Sequence, residues 1–347
     1  MNRARLFVIV GTFTACSAAA PFHSTPGDAA ATSPLPSTTD EADLNQARVD
    51  AANDQGTPTT LRELCFANLP SLPPGAVEPN YDQFHPTYGS HCQGTNQQDI
   101  KNVQKVVFLG DSITAGTPPT PLDQFYRSIL LDDLQKKFGA NIEVSSCAAW
   151  GANVNDLLVS SSTSQLSLCF PFLPEQKTTL VIMTDGGNDV NRWRNQSAQG
   201  VDDATILAGM DNNVQQLRNA IAWIKDPSKF PKGSYLIYGN LYEFTDGTGD
   251  TNSCPVAALA GLKPPGPSFP AEFVHFNEQF VKAAVDYQVD VIFMLEQFCG
   301  HGYHHDDPTT LCFRGPGAPL WFDLTCIHPN PIGHAKLADM FMDVVNE

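Results

Sequence analysis

From residue 103 onwards, short apolar runs alternate with longer windows of helical periodicity. The runs are VVFLG (106–110), NIEVSS (141–146), TTLVIMT (178–184), SYLIYG (234–239) and DVIFML (290–295). They are continuous rather than alternating and rich in β-branched residues, which predicts strands buried on both faces. Helical windows follow at 121–139, 202–226, 271–288 and 331–345. In the first, Leu122, Phe125, Ile129 and Leu130 share a face. In the second, Ile206, Met210, Val214, Leu217, Ile221 and Ile224 do, as a period of 3.6 residues requires. Five strands separated by helices predict a parallel, doubly wound α/β domain over 104–347. Chemistry in such a sheet gathers at the carboxyl ends of its strands.

The first hundred residues follow other rules. Arg3 and Arg5 precede LFVIVGTFTA (6–15), an apolar stretch too short to span a bilayer, and this predicts a signal peptide over 1–16. FTAC (13–16) resembles a lipoprotein box, which makes Cys16 a candidate lipid anchor, although Phe13 is uncommon at its place in that pattern. Residues 17–60 are rich in Ala, Thr, Ser, Pro and Asp without apolar periodicity, the composition of a flexible linker. Residues 61–103 carry two cysteines and the turn-rich PSLPPG (70–75), and predict an extension laid on the main domain. No later segment has the roughly twenty apolar residues of a membrane span.

Charge and cysteines narrow the function. With 20 Lys+Arg against 37 Asp+Glu the formal charge is −17, which argues against nucleic acid or an anionic membrane as partner. Of nine cysteines, the loss or lipidation of Cys16 leaves an even number, which in an exported chain predicts disulfides. Cys65 and Cys92 flank one stretch, Cys147 and Cys169 bracket one loop, and Cys254, Cys299, Cys312 and Cys326 lie in the last third. Connectivity stays open, with Cys312 or Cys299 the candidates for Cys326. No C-x-x-C spacing suggests zinc.

Four blocks carry candidate chemistry, each just after a strand or before a helix. VVFLGDSITAG (106–116) puts Ser112 at the head of a strand-to-helix loop, with Thr114 where a nucleophile elbow has its second glycine. In CAAWGANVNDLL (147–158), Gly151 lets a backbone N–H approach a reacting carbonyl without a side chain in between. LVIMTDGGND (180–189) ends in Asn188, whose amide can point a donor at a developing oxyanion. WFDLTCIHPNPIGHAKLADMF (321–341) leaves His328 in a loop and puts His334 inside a helix. Taken singly, a capping serine, a turn glycine and a turn asparagine are everyday structural features.

Together, GDSIT (110–114), Gly151, GGND (186–189) and HPNPIGH (328–334) resemble the SGNH hydrolases, the GDSL-type esterases and lipases. The resemblance implies a flavodoxin-like three-layer sandwich and a cofactor-free serine ester hydrolase, secreted, periplasmic or at the cell surface. It implies Ser112 as nucleophile and His328 as base, with the Ser112 and Gly151 N–H groups and the Asn188 amide as oxyanion hole. The substrate would be a lipid, an acetylated glycan or another small acyl ester.

One position departs from that pattern. The family places an aspartate three residues before the histidine, and here that residue is Thr325, with Asp323 two residues further back. Either Asp323 reaches His328 through a looped backbone, or a backbone carbonyl orients the ring in a Ser–His dyad; Asp323 is the acid assigned. The missing aspartate also keeps a catalytically inactive binding module on this fold as the rival reading. HGYHHDD (301–307) is a competing metal-type cluster, read as a polar loop with no metal assigned. Trp193 lines the substrate cleft or packs in the core.

Overall fold

The computed structural model describes residues 60–71, 76–158, 164–259 and 261–347. The expected signal peptide, Cys16 and the linker as far as residue 59 lie outside them. Every expected apolar run contains a strand: β1 (Lys105–Gly110), β2 (Glu143–Ser146), β3 (Thr179–Thr184), β4 (Ser234–Gly239) and β5 (Asp290–Ile292). They form one sheet in the order β2-β1-β3-β4-β5 with all pairs parallel. β1 and β3 are buried throughout, but β2 is mostly exposed. The expectation of burial on both faces fails there because β2 is a sheet edge. The fifth run also divides, since Met294 and Leu295 begin a helix rather than continue β5.

The helices are α1 (Leu61–Cys65), α2 (Ser112–Ala115), α3 (Tyr126–Phe138), α4 (Gln165–Cys169), α5 (Gly187–Ser197), α6 (Asp203–Ile224), α7 (Phe269–Tyr287), α8 (Met294–Phe298) and α9 (Pro331–Asn346). In α6, Asp202 caps the first turn by accepting from the Thr205 N–H, and all six expected apolar residues are buried. The first window is less faithful. Leu122 lies in a separate 3₁₀ turn and is 58% exposed, while Phe125, Leu130 and Leu134 make the buried stripe.

Helices cover both faces. Val107, Leu109, Val181 and Met183 pack in one core with α6 and α7, and Val106, Phe108, Leu180 and Ile182 in another with α3 and α9. Each such side chain contributes about 1.5–3 kcal/mol by leaving water. The three-layer sandwich is thus realised. Because the chain runs from β1 to β2 and then crosses back to β3, a crevice opens beyond the carboxyl ends of β1 and β3.

The segment after Cys92 protects the other edge. The Thr95 N–H donates to Val291 O at 3.0 Å, Gly94 bridges Ile292, and the Thr95 hydroxyl and Gln98 amide donate to the Asp290 carboxylate. An unpaired strand edge is thereby covered.

Four disulfides join Cys65–Cys92, Cys147–Cys169, Cys254–Cys326 and Cys299–Cys312. The expected partner of Cys326 is therefore corrected. Cys299 and Cys312 pair with each other, and Cys254 shares a buried cluster with Cys326. Among the described residues no helix is long and apolar enough to cross a membrane.

Candidate active site

The nucleophile corner is built where β1 ends. Gly110 has φ +108°, and a Cβ there would stand 1.9 Å from Thr184 O, so only glycine lets β1 and β3 meet this closely. Gln165 grips the same residue: the Gly110 N–H donates to its Oε1 at 2.6 Å, and its Nε2 donates to Gly110 O at 2.9 Å. Asp111 then caps α2 by accepting from the Ile113 N–H at 3.0 Å, which makes Ser112 the first helical residue. The Ser112 hydroxyl meets His328 Nε2 at 2.8 Å.

His328 stands just ahead of α9, where Asn330 caps the helix by accepting from the Gly333 N–H and Pro331 opens its first turn. Its other ring nitrogen, Nδ1, lies 2.7 Å from Thr325 Oγ1. Thr325 Oγ1 in turn lies 2.5 Å from Asp323 Oδ1, which also accepts the Thr325 N–H at 2.8 Å. An ionised carboxylate only accepts, so the single hydroxyl proton of Thr325 goes to Asp323. Thr325 Oγ1 must then accept from His328 Nδ1–H. Nε2 is left as an acceptor for the Ser112 hydroxyl, which is the tautomer a general base needs.

This corrects both expected arrangements. Among the described residues Asp323 does not touch His328 and no backbone carbonyl accepts from the ring; Thr325 stands between them. The D-x-T-x-x-H spacing at 323–328 was the available signal, because an aspartate followed two residues on by an N–H and a hydroxyl closes a small Asx turn. Cys326, at φ +73°, turns the chain within this loop. Burial pushes the His328 imidazole below its ordinary value, and the Asp323 charge opposes that.

Gly151 and Asn188 are held in register by two bonds between the Gly151 loop and the first turn of α5. Asn188 Nδ2 donates to Ala152 O at 2.7 Å, and the Val154 N–H donates to Asp189 Oδ2 at 3.1 Å. Buried Asp189 also takes Arg192 at 2.8 Å and the Asn213 amide at 3.2 Å. Asn188 keeps a second amide N–H. Among the described residues, neither the Ser112 nor the Gly151 N–H donates to another group. Gly151 has φ +77°, and nothing lies within 4 Å of a Cβ built on it.

Three acids missed from sequence lie buried nearby. Burial pushes Asp111 up to about 7, and Asp185 well above the carboxylate range, where the charges of Asp111 and Asp189 add to it. Burial raises Asp189 as well.

The competing clusters disperse. His301 stacks on Trp321 with ring centroids 3.6 Å apart, His304 turns to Asp250 and His305 to Asp306. Among the described residues no three His, Cys, Asp or Glu side chains converge as metal ligands. Trp193 is buried edge-on against Phe276, so it packs in the core. His334 is buried too, and its Nδ1 accepts from the Tyr126 N–H.

A family model, the GDSL-like Lipase/Acylhydrolase family, matches residues 108–336. Solved structures similar to this chain include a lipolytic G-D-S-L family protein from Veillonella parvula, at 15% identity and TM-score 0.37, covering 70% of this chain and 98% of that one. A lipase from a goat rumen metagenome has 18% identity and TM-score 0.47, covering 69% and 96%. A lipase/acylhydrolase from Enterococcus faecalis has 15% identity and TM-score 0.43, covering 69% and 93%. No curated protein matches the sequence.

Proposed function

The chain belongs to the GDSL-like lipase/acylhydrolase family, and from that premise we propose that it is an exported serine hydrolase of carboxylic esters acting through an acyl-enzyme. The observation that carries the reading is the chain of contacts Ser112–His328–Thr325–Asp323. His328 Nε2 takes the Ser112 proton as the serine oxygen attacks the ester carbonyl. The Ser112 N–H, the Gly151 N–H and the second Asn188 N–H receive the developing oxyanion. The imidazolium keeps its Nδ1 proton on Thr325, whose hydroxyl passes the stabilising field of Asp323 to the ring. Nε2 then hands its proton to the leaving alcohol, and water repeats the sequence to free the acid. Asp323 and Thr325 are positioning residues in this scheme, and no cofactor enters it.

Four disulfides suit an oxidising compartment, which favours export; lipidation at Cys16 belongs to the same proposal. The substrate bears an apolar group: Trp150 and Leu324, each 66% exposed, stand on the loops that carry Gly151 and His328.

The test is covalent capture. A p-nitrophenyl phosphonate should release one equivalent of nitrophenol and leave its phosphonyl group on the peptide containing Ser112, as read by mass spectrometry. Neither label nor turnover of p-nitrophenyl esters would leave the inactive binding module standing.

A further inference from the structure

A cavity of about 950 Å³ lies between the N-terminal extension, α5, the start of α7, the loop after β4 and α8. That is the size of a small-molecule site, about 300–1,000 Å³. None of Ser112, Gly151, Asn188 or His328 lines it. Phe66, Leu69, Phe269, Phe273 and Leu295 make much of its wall apolar.

Its polar groups are unevenly satisfied. The lining acids are engaged by the protein itself. Glu243 accepts from the Thr245 N–H, the Thr245 hydroxyl and the Gly247 N–H, Asp246 from three backbone N–H groups, and Glu296 from Asn240. Glu78 pairs with Arg62, and Asp82 accepts from Tyr88 and the Leu61 N–H. Arg194 is the exception. It is 8% exposed, donates to Asn191, lies 5.6 Å from the Phe244 ring, and forms no ion pair among the described residues. Its Nε–H has no partner. A buried cation with no carboxylate in contact is costly unless something else supplies the missing group.

We propose that this cavity is a second binding site, apart from the Ser112–His328 site, for an amphiphile bearing one carboxylate. The carboxylate meets the terminal nitrogens of Arg194, whose planar fork suits two oxygens, and the apolar part lies against Phe269 and Phe273. Glu243, whose charge acts on Arg194 from beyond contact distance, disfavours a second anionic group on the ligand. The site does not depend on the hydrolase reading, because no residue of that mechanism takes part.

The experiment is calorimetric titration of the exported protein with laurate below its micelle concentration, and with dodecanol as the uncharged probe. Laurate should bind at one site, at least tenfold tighter than dodecanol, because a charge-assisted pair is lost in the alcohol. Arg194→Gln should remove that preference and leave dodecanol unchanged. It removes an unpaired buried cation, so its Tm should hold or rise. Val274→Trp, which adds bulk at the wall, should weaken both probes. Laurate affinity untouched by Arg194→Gln would put the binding elsewhere and overturn the proposal. Equal affinity for laurate and dodecanol, or no uptake of laurate, would overturn it too.

Discussion

The two halves of the candidate site are held in different ways. The nucleophile corner is mostly local: β1, Gly110, the Asp111 cap and Ser112 follow one another, and outside support comes from the Gln165 clamp and from Thr184 on the neighbouring β3, whose hydroxyl donates to Asp111. The histidine loop depends on distant partners. The Cys254–Cys326 disulfide, the Tyr303 hydroxyl on Asp323 O and the Tyr242 hydroxyl on Ile327 O all reach it from elsewhere in the chain. A nucleophile at a strand end inherits the stiffness of the sheet, whereas a base on a loop needs tertiary ties to hold a distance of 2.8 Å. The two regions should therefore fail differently when broken.

The largest effect is expected at the stiff end. Ser112→Ala should lower kcat for a p-nitrophenyl ester by roughly 10⁵–10⁶-fold while the urea midpoint stays put, because the loss is chemical and the corner is held by other groups. Residual turnover above about one per cent in a clean preparation would remove Ser112 from the mechanism.

Next comes the relay that orients the base. Thr325→Ala should cost about 10³-fold in kcat/KM, and Thr325→Ser should restore most of it by returning the hydroxyl. Asp323→Asn should cost about 10²-fold, because the amide oxygen still accepts from Thr325 but carries no charge. Asp306→Asn and Asp307→Asn are expected to be silent. A mild Thr325→Ala beside a severe Asp323→Asn would mean that the carboxylate reaches the ring directly in solution.

The covalent tie sharpens the contrast further. Replacing Cys254 and Cys326 together by Ala opens a closed loop of 72 residues, and by chain entropy should cost about 4 kcal/mol in urea unfolding. At a temperature where the variant remains folded, kcat should also drop, about tenfold, while phosphonate labelling of Ser112 slows in parallel. Unchanged activity would show that hydrogen bonds alone hold the histidine loop.

The smallest effect is on pH. Burial lowers the His328 pKa, and the base must be neutral to act, so kcat/KM should fall on acidification with a midpoint below 6.5. Asp323 is the charge that opposes this lowering, so Asp323→Asn should move the limb to lower pH still. Stability should show the same sign: His301 and His334, both pushed by burial to about 4, bind fewer protons folded than unfolded. Their contribution is complete above about 6.5 and is lost as pH falls towards 4. An acidic limb above 6.5 would contradict the burial of His328.

Much of this was legible in the chain because the signals are local. A buried parallel strand reads as an unbroken apolar run, and α6 shows its stripe because neighbours three and four apart share a face. Ser112, Gly151, Asn188 and His328 stood out because each follows a strand or precedes a helix on one edge. β2 and Leu122 misled for one reason: apolar content does not say whether a neighbouring element arrives to cover it.

The sequence by itself determined the strand and helix order, and with it the edge of the sheet on which the four motif residues lie. Tertiary structure alone decided that Cys254 is the partner of Cys326 and that Arg194 lines a cavity with no carboxylate in contact among the described residues. Each of these depends on side chains brought together by the packing of separate segments. No local pattern encodes such meetings, because the energy that selects them, burial and partner satisfaction, exists only once the layers have closed.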